Sequence, residues 1–343
     1  YAFEATSDFS SLTSLTLGSS VTKIGVGAFQ GASALTSLVI PDLVTTIERI
    51  AFQDASSLTS LTLGSSVTDI GEDAFRNASA LTSVTLPSSL KTIGQAAFAD
   101  TGLTSLTIPD SVTTISSSAF KGTALTSLTL GSSVTTIGGD AFRNASSLTS
   151  VTLPSTLTSI GSRAFQGSGL TSITIPDSVH SIGDLAFANV PLQTLVIGSG
   201  LNNVTNVGYG AFTNVCQTLR SVSIDSPRAL GRGNATYHAT YIDAQGSSRS
   251  LRNPHQGIYL GQFYDIGLDS NGNFTGNGDF FEGSFACPVL ESITLGNNVV
   301  TVGDYAFEAT SDFSSLTSLT LGSSVTKIGV GAFQGASALT SLV

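Results

Sequence analysis

Cys216 and Cys287 are the side chains of this 343-residue chain whose spacing points most directly to covalent chemistry. Each stands three residues before a leucine, Leu219 and Leu290, that opens a copy of a repeated motif, so both hold the same repeat position although 71 residues separate them. If the intervening segment is looped out of one coil, the two positions stack in neighbouring coils with Cα atoms ~5 Å apart. That lies inside the ~4.4 to 6.8 Å a disulfide requires. The spacing predicts a Cys216–Cys287 bond closing a long loop in an oxidising compartment; the alternative is a pair of buried thiols in a reducing one.

A second chemistry is glycan attachment. Asn77, Asn144, Asn203, Asn234 and Asn273 each begin an Asn-x-Ser/Thr triplet, the acceptor signal in a secreted eukaryotic chain. Asn77 and Asn144 share one repeat position, four residues before a leading Leu, where the chain should turn at the surface. Chance occurrence is the alternative, because Ser and Thr are abundant throughout.

Between about Asp225 and Gly283 the repeat breaks and the residues become chemically varied. Tyr237, Tyr241, Arg249, Arg252, Tyr259 and Tyr264 are the candidates for an interaction surface, since Tyr and Arg favour interfaces; the other reading is a small aromatic core against the rest of the chain. ATYHATYI (235–242) alternates like a strand, and Asn271-Gly272 is a hairpin-turn signal. DSNGNFTGNGDF (269–280) begins like a calcium loop, with Asp269, Asn271 and Asn273 at alternate positions. Phe274 stands where that loop needs Gly and Phe280 where it needs an acid, so the segment reads as a Gly/Asn turn with calcium as the alternative. His238 and His255 lack zinc-type spacing. No nucleophile elbow, phosphate loop or carboxylate pair stands out, and the chain reads as a non-enzyme without cofactor.

What must position these residues is a repeat. Leu12, Leu35, Leu58, Leu81, Leu103, Leu125, Leu148, Leu170, Leu192, Leu219, Leu290 and Leu316 recur mostly 22 or 23 residues apart, a solenoid period. After each, apolar residues return at +3, +5, +9 and +12, as in Leu15, Leu17, Val21 and Ile24, and an Ala-Phe pair follows, as in Ala28 and Phe29. The alternation L-T-S-L-T-L predicts a short strand with one buried face. Gly or Pro next ends it, as at Gly18, Pro41, Gly64 and Pro87. The stretch up to Ala-Phe is expected to form an extended piece plus a tight turn or 3₁₀ segment. Above this period lies a longer one: residues 1–39 return unchanged as residues 305–343, an offset of 304. Both ends therefore read as cuts in a longer array.

The form LxxLxLPxxVxxIGxxAFxxC, seen in LTSVTLPSSLKTIGQAAF (81–98) and LTSLTIPDSVTTISSSAF (103–120), resembles the BspA-type leucine-rich repeat. The resemblance covers most of residues 2–225 and 284–343. It implies a right-handed solenoid with a parallel sheet on one face, found often in secreted or surface proteins of microbes, including adhesins. The Asn of ordinary leucine-rich repeats is absent. The family's Cys after the Ala-Phe stretch is mostly Ala here (Ala32, Ala55, Ala78, Ala145), which implies small-residue packing in place of thiols.

The expected architecture is an α/β-type repeat solenoid, mostly β, carrying a small β-hairpin island: solenoid over 1–225, island over 226–283, solenoid again over 284–343. With 13 basic against 23 acidic residues the net charge is −10, which disfavours nucleic acid as a partner. No apolar run approaches the roughly 20 residues of a membrane span. The expected function is a non-enzymatic extracellular structural protein, a tandem array of 304-residue units building a filament, hair or matrix fibre, with further copies of the unit as partners. The alternatives are an adhesin binding a glycan or a host or matrix protein through the island, and ice or crystal-surface binding by the exposed Ser and Thr columns.

Overall fold

A computed structural model of the chain describes residues 9–201, 207–208, 211–212, 214–215, 217–225, 238–242, 248–252, 289–302, 315–329, 332–333 and 335–343. Two parallel ladders run along the molecule. One is built from the L-T-S-L-T-L segments, and strands Ser172–Ile175, Thr194–Ile197, Ser221–Ile224, Ser292–Leu295, Ser318–Thr320 and Ser341–Leu342 pair in that order. Ser37–Val39 with Ser60–Thr62, and Ser105–Thr107 with Ser127–Thr129, are earlier stretches of the same motif. Along these four strands burial alternates exposed, buried, exposed, the pattern of a sheet with one wet face.

The second ladder consists of the two-residue strands Lys23–Ile24, Thr46–Ile47, Asp69–Ile70, Thr92–Ile93, Thr114–Ile115, Thr136–Ile137, Ser159–Ile160 and Ser181–Ile182. The extended piece expected before the Ala-Phe pair is thus itself hydrogen-bonded from coil to coil. Turns follow it, and neither a 3₁₀ nor an α-helical segment occurs among the described residues. The fold is the mostly-β parallel solenoid that the spacing predicts. No helix among the described residues is long and apolar enough to cross a membrane.

A third set of cross-coil bonds ties the turns. Gly27, Phe29 and Gly31 donate their N–H groups to the carbonyls of Arg49, Ala51 and Gln53, at 3.0, 2.9 and 2.8 Å, and Ile50, Phe52 and Asp54 repeat this onto Glu72, Ala74 and Arg76. Successive donors all point toward the next coil because residues two before and two after each Phe are left-handed: Asp73 and Asn77 flank Phe75 at φ 52° and 63°, and Asp140 and Asn144 flank Phe142 at 56° and 59°. Alternating hands turn these N–H groups to one side, so each finds a carbonyl in the next coil.

The Phe residues form the spine of the core. From Phe29 to Phe212 each ring stacks on the next with centroids 5.2–5.7 Å apart and planes within 16° of parallel. Three residues on, Ala32, Ala55, Ala78 and Ala145 are wholly buried, the small-residue packing that the missing cysteines imply. Thr101 and Thr123 fill the same position, and each satisfies its buried hydroxyl by donating to the carbonyl of the Phe three residues before it, at 2.9 Å. Ala78→Leu is expected to overfill this column and lower the unfolding free energy by about 1–3 kcal/mol in a urea titration.

The island leaves the sheet unbroken. Ser221–Ile224 pairs with Ser292–Leu295 residue for residue, Ser221 opposite Ser292 through Ile224 opposite Leu295. Leu219 and Leu290 therefore open adjacent coils.

Candidate functional site

The exposed face of the longer ladder carries hydroxyls in columns. Thr at the first position after the leading Leu is committed to the backbone: Thr59 and Thr126 donate to the carbonyls of Thr36 and Thr104 in the preceding coil, each at 3.0 Å. Ser60 and Thr62, and likewise Ser105 with Thr107 and Ser127 with Thr129, point outward on either side of a buried Leu. These hydroxyls remain available to water or a partner. These outward Ser and Thr columns carry no charge and are interrupted by Val39, 62% exposed.

At the corner after some of the strands a carboxylate or amide clamps the next coil. Asp42 Oδ1 accepts from Ser65 N and Oγ at 2.9 and 3.1 Å, Asp110 Oδ1 from Ser132 N and Oγ at 2.6 and 3.0 Å, and Asn297 Oδ1 from Ser323 N and Oγ at 2.9 and 3.1 Å. Asp225 spans the island, accepting from Asn298 N and Nδ2 at 2.9 Å each. The backbone N–H of Ser65, then its hydroxyl, holds the Asp42 carboxyl below its ordinary pKa, and Ser132 does the same for Asp110. A lowered folded pKa gives stability that is fully present above the unfolded value and disappears as pH falls through the folded one. Loss of stability below about pH 4 is therefore expected. Asp42→Asn with Asp110→Asn should flatten that acid limb of the melting profile while keeping the geometry, as Asn297 already does.

A shallow depression lined by Asp42, Leu61, Thr62, Ser65, Thr85 and Pro87 lies at this corner. Its one titratable group is already held by Ser65, so it offers no base beside a nucleophile. Among the described residues no cluster of three metal-ligating side chains occurs.

The sequence candidates fall as follows. Asn77 is half-buried and its Nδ2 donates to Asp54 Oδ1 at 2.7 Å; Asn144 is exposed beside Gly167 of the next coil. Asn203, Asn234 and Asn273 lie outside the described residues, as do Cys216, Cys287, Tyr237, Tyr259, Tyr264, Asp269 and Asn271. Within the island His238–Ile242 and Ser248–Arg252 form an antiparallel pair that sets Tyr241 opposite Arg249 and His238 opposite Arg252. Where the island leaves and rejoins the solenoid, Arg220 and Glu291 form an ion pair between adjacent coils. Spacing did not disclose the Asp clamp, although Pro-Asp-Leu and Pro-Asp-Ser at one repeat position carry its signal.

No curated protein matches the chain in sequence. Among solved structures, a leucine-rich repeat protein from Bacteroides ovatus is 26% identical with a TM-score of 0.51, covering 94% of this chain and 82% of that one. The pneumococcal vaccine antigen PcpA is 24% identical over 60% of each chain with a TM-score of 0.41. A leucine-rich cell surface protein from Faecalibacterium prausnitzii is 22% identical, covering 96% of this chain and 79% of that one with a TM-score of 0.36. The model of the BspA-type leucine-rich repeat region matches residues 1–126, 113–232 and 263–343, and with its Leu, Ile and Phe columns stacked in successive coils the chain belongs to that family.

Proposed function

We propose that this chain is a non-enzymatic extracellular solenoid whose 304-residue unit repeats in series to build a filament or matrix fibre. One observation carries the reading. The first copy of the duplicated coil shows how it seats on a following coil, and the second how it seats on a preceding one. Residues 12–34 are capped by the following coil, with Lys23 opposite Thr46 and Ile24 opposite Ile47. The identical residues 316–338 are backed by the preceding coil, with Ser318 opposite Ser292 and Lys327 opposite Thr301. Superposed on each other, the two copies would join one unit to the next and carry the Leu and Ile ladders through the seam. Because a solenoid is stabilised by nearest neighbours, such a join extends the array without a special connector.

The extracellular setting rests on the five glycan-acceptor triplets, on the cysteine pair and on a family found often at microbial surfaces. Asn144, exposed, is the acceptor an oligosaccharide would reach ahead of Asn77, whose amide is engaged. A second reading, contact with a glycan or a host or matrix protein through the island, is favoured by the antiparallel pair His238–Ile242 with Ser248–Arg252, set in a segment whose sequence concentrates Tyr and Arg, residue types that favour interfaces. Immunogold labelling of intact source cells tests the choice. Continuous labelled fibres are expected; label spread evenly over the cell surface without fibres would favour the contact module, and label confined to the cell interior would contradict both.

A further inference from the structure

The longer ladder opens at two places in the body of the solenoid, and the two are copies of each other. Ile40 N donates to Thr62 O and Ile108 N to Thr129 O, both at 2.9 Å, closing the ladder from one coil to the next. At the following pairs of coils the equivalent bonds, Leu63 N to Thr85 O and Leu130 N to Thr152 O, are not made, and neither 83–85 nor 150–152 forms a strand. The depression beside Asp42 lies in the first opening. Residues 58–65 and 81–88, which supply its walls, return unchanged as 125–132 and 148–155, and the Pro-Asp pair at 41–42 returns at 109–110. The opening beside Asp110 therefore presents the same groups: exposed Thr, Ser and Asp side chains around half-buried Leu63 and Pro87 in one, Leu130 and Pro154 in the other. Where the series would continue, Asp177 still holds Ser199 N at 2.7 Å. There Val196 stands in the place of Thr62, and Thr194–Ile197 pairs residue for residue with Ser221–Ile224, so the ladder is closed.

We propose that the two openings are tandem binding sites for a neutral linear polysaccharide lying along the solenoid. Each opening complements a sugar ring. Leu63 and Pro87 offer an apolar patch to its C–H face, and the exposed hydroxyls of Thr62 and Thr85 meet its own hydroxyls. Asp42 Oδ1 takes both bonds from Ser65, which leaves Oδ2 to accept from a sugar hydroxyl. The unpaired N–H of Leu63 and C=O of Thr85 add a donor and an acceptor. The carboxylate in each site repels a polyanion. Repetition selects a polymer, because sites built from identical residues suit a ligand whose chemistry repeats. Asp42 and Asp110 follow leading leucines three coils apart, Leu35 and Leu103, which sets the sites ~14 Å from each other at ladder spacing. One polysaccharide chain held at both then gains avidity. An extended peptide would need a longer run of open backbone groups than these few to pair as an added strand.

Affinity electrophoresis of the full 343-residue chain tests this, in native gels cast with hydroxyethylcellulose, glucomannan or dextran as neutral polymers and with hyaluronan or gelatin for comparison. Mobility in each gel is read against the same protein in a gel without polymer. Retardation by at least one of the three neutral polymers, and by neither hyaluronan nor gelatin, is expected. Thr85→Arg and Thr152→Arg place bulk at exposed side chains of the two openings and leave the core untouched, which an unchanged melting curve would verify. Either one alone should weaken binding of the polymer by at least about tenfold, through lost avidity, and the two together should abolish it. Thr85→Val with Thr152→Val removes two hydroxyls while keeping the shape, and should weaken binding by about two- to tenfold. Free migration of the parent through all three neutral polymers would overturn the proposal, as would a double Arg variant retarded like the parent. Retardation by gelatin instead would assign the openings to extended peptide, and retardation by hyaluronan instead would show that the carboxylates do not select against polyanions; either result contradicts the proposal.

Discussion

Phe98→Ala is expected to lower the unfolding free energy by about 3–5 kcal/mol, a large substitution effect for a single side chain. The ring is fully buried and sits between Phe75 and Phe120, with centroids at 5.3 and 5.7 Å and planes 12° and 5° from parallel. Truncation removes the transfer contribution of the ring, the stacking on both sides, and the van der Waals contacts of a cavity that the backbone cannot close. The coils are held at ladder spacing by hydrogen bonds that the substitution leaves intact, such as Phe98 N to the carbonyl of Ala119 at 2.9 Å. The loss should also be felt as a break in cooperativity. In a nearest-neighbour array a lesion in mid-column uncouples the coils on either side, so urea titration should resolve two transitions where the parent shows one. Phe29→Ala, at a ring that is only half-buried, should reduce stability by less. A reduction under about 1 kcal/mol at Phe98 would mean that the stacked rings are not what holds the coils together.

Reduction of the chain, or Cys216→Ser, is expected to lower stability by about 2–4 kcal/mol, and the two treatments should not add. Both cysteines stand three residues before leucines that open adjacent coils, and the strands that follow are paired in register. The bond would close a loop spanning the whole island, and long loops leave the most unfolded-state freedom for a cross-link to remove. Ser221–Ile224 and Ser292–Leu295 join the same two coils through their paired backbones, so the solenoid stays closed across the island's base after reduction and the loss is bounded. Intact mass under non-reducing conditions, about 2 Da below the reduced mass, is the direct check. Two alkylatable thiols in protein taken straight from its source would place the chain in a reducing compartment.

The Leu and Phe columns were legible because a 22- or 23-residue period repeats often enough that spacing alone aligns them. The shorter ladder was not, because its strands are two residues long. A pair such as Thr46-Ile47 carries no alternation that distinguishes it from a turn. The left-handed columns divide in the same way. Asp54, Asn77, Asn144, Asn189 and Asn214 are residue types that tolerate positive φ, so the column after each Phe carries a sequence signal. The column before it holds Ile50, Ala96, Arg163 and Leu185 at φ 50–57°, residues that propensity assigns elsewhere. Cross-coil bonds override propensity there: Ile50 N donates to Glu72 O at 2.8 Å and Arg163 N to Asp184 O at 2.8 Å, and an intrinsic preference of ~1–2 kcal/mol per residue yields to the stacked neighbour. The Asp clamps were missed for a related reason. Asp42 and Asp110 act on the coil that follows, 22 or 23 residues on, a distance at which no local turn pattern operates. In the island, ATYHATYI was legible as a strand from its alternation, and its partner, Ser248–Arg252, was not, since SRSLR offers a single apolar residue.

The claim on which the rest depends is that the 304-residue unit continues into another unit through the duplicated coil. Electron cryo-microscopy of the native material tests it most directly. Eleven coils separate Leu12 from Leu316, and at ~4.8 Å per strand the ladder should advance about 53 Å before the island returns. A fibre with that axial repeat, one island per repeat and unbroken Leu and Phe columns through the seam is the expected result. Discrete particles whose ends are closed by polar residues folded over the coils of residues 12–34 or 316–338 would contradict it.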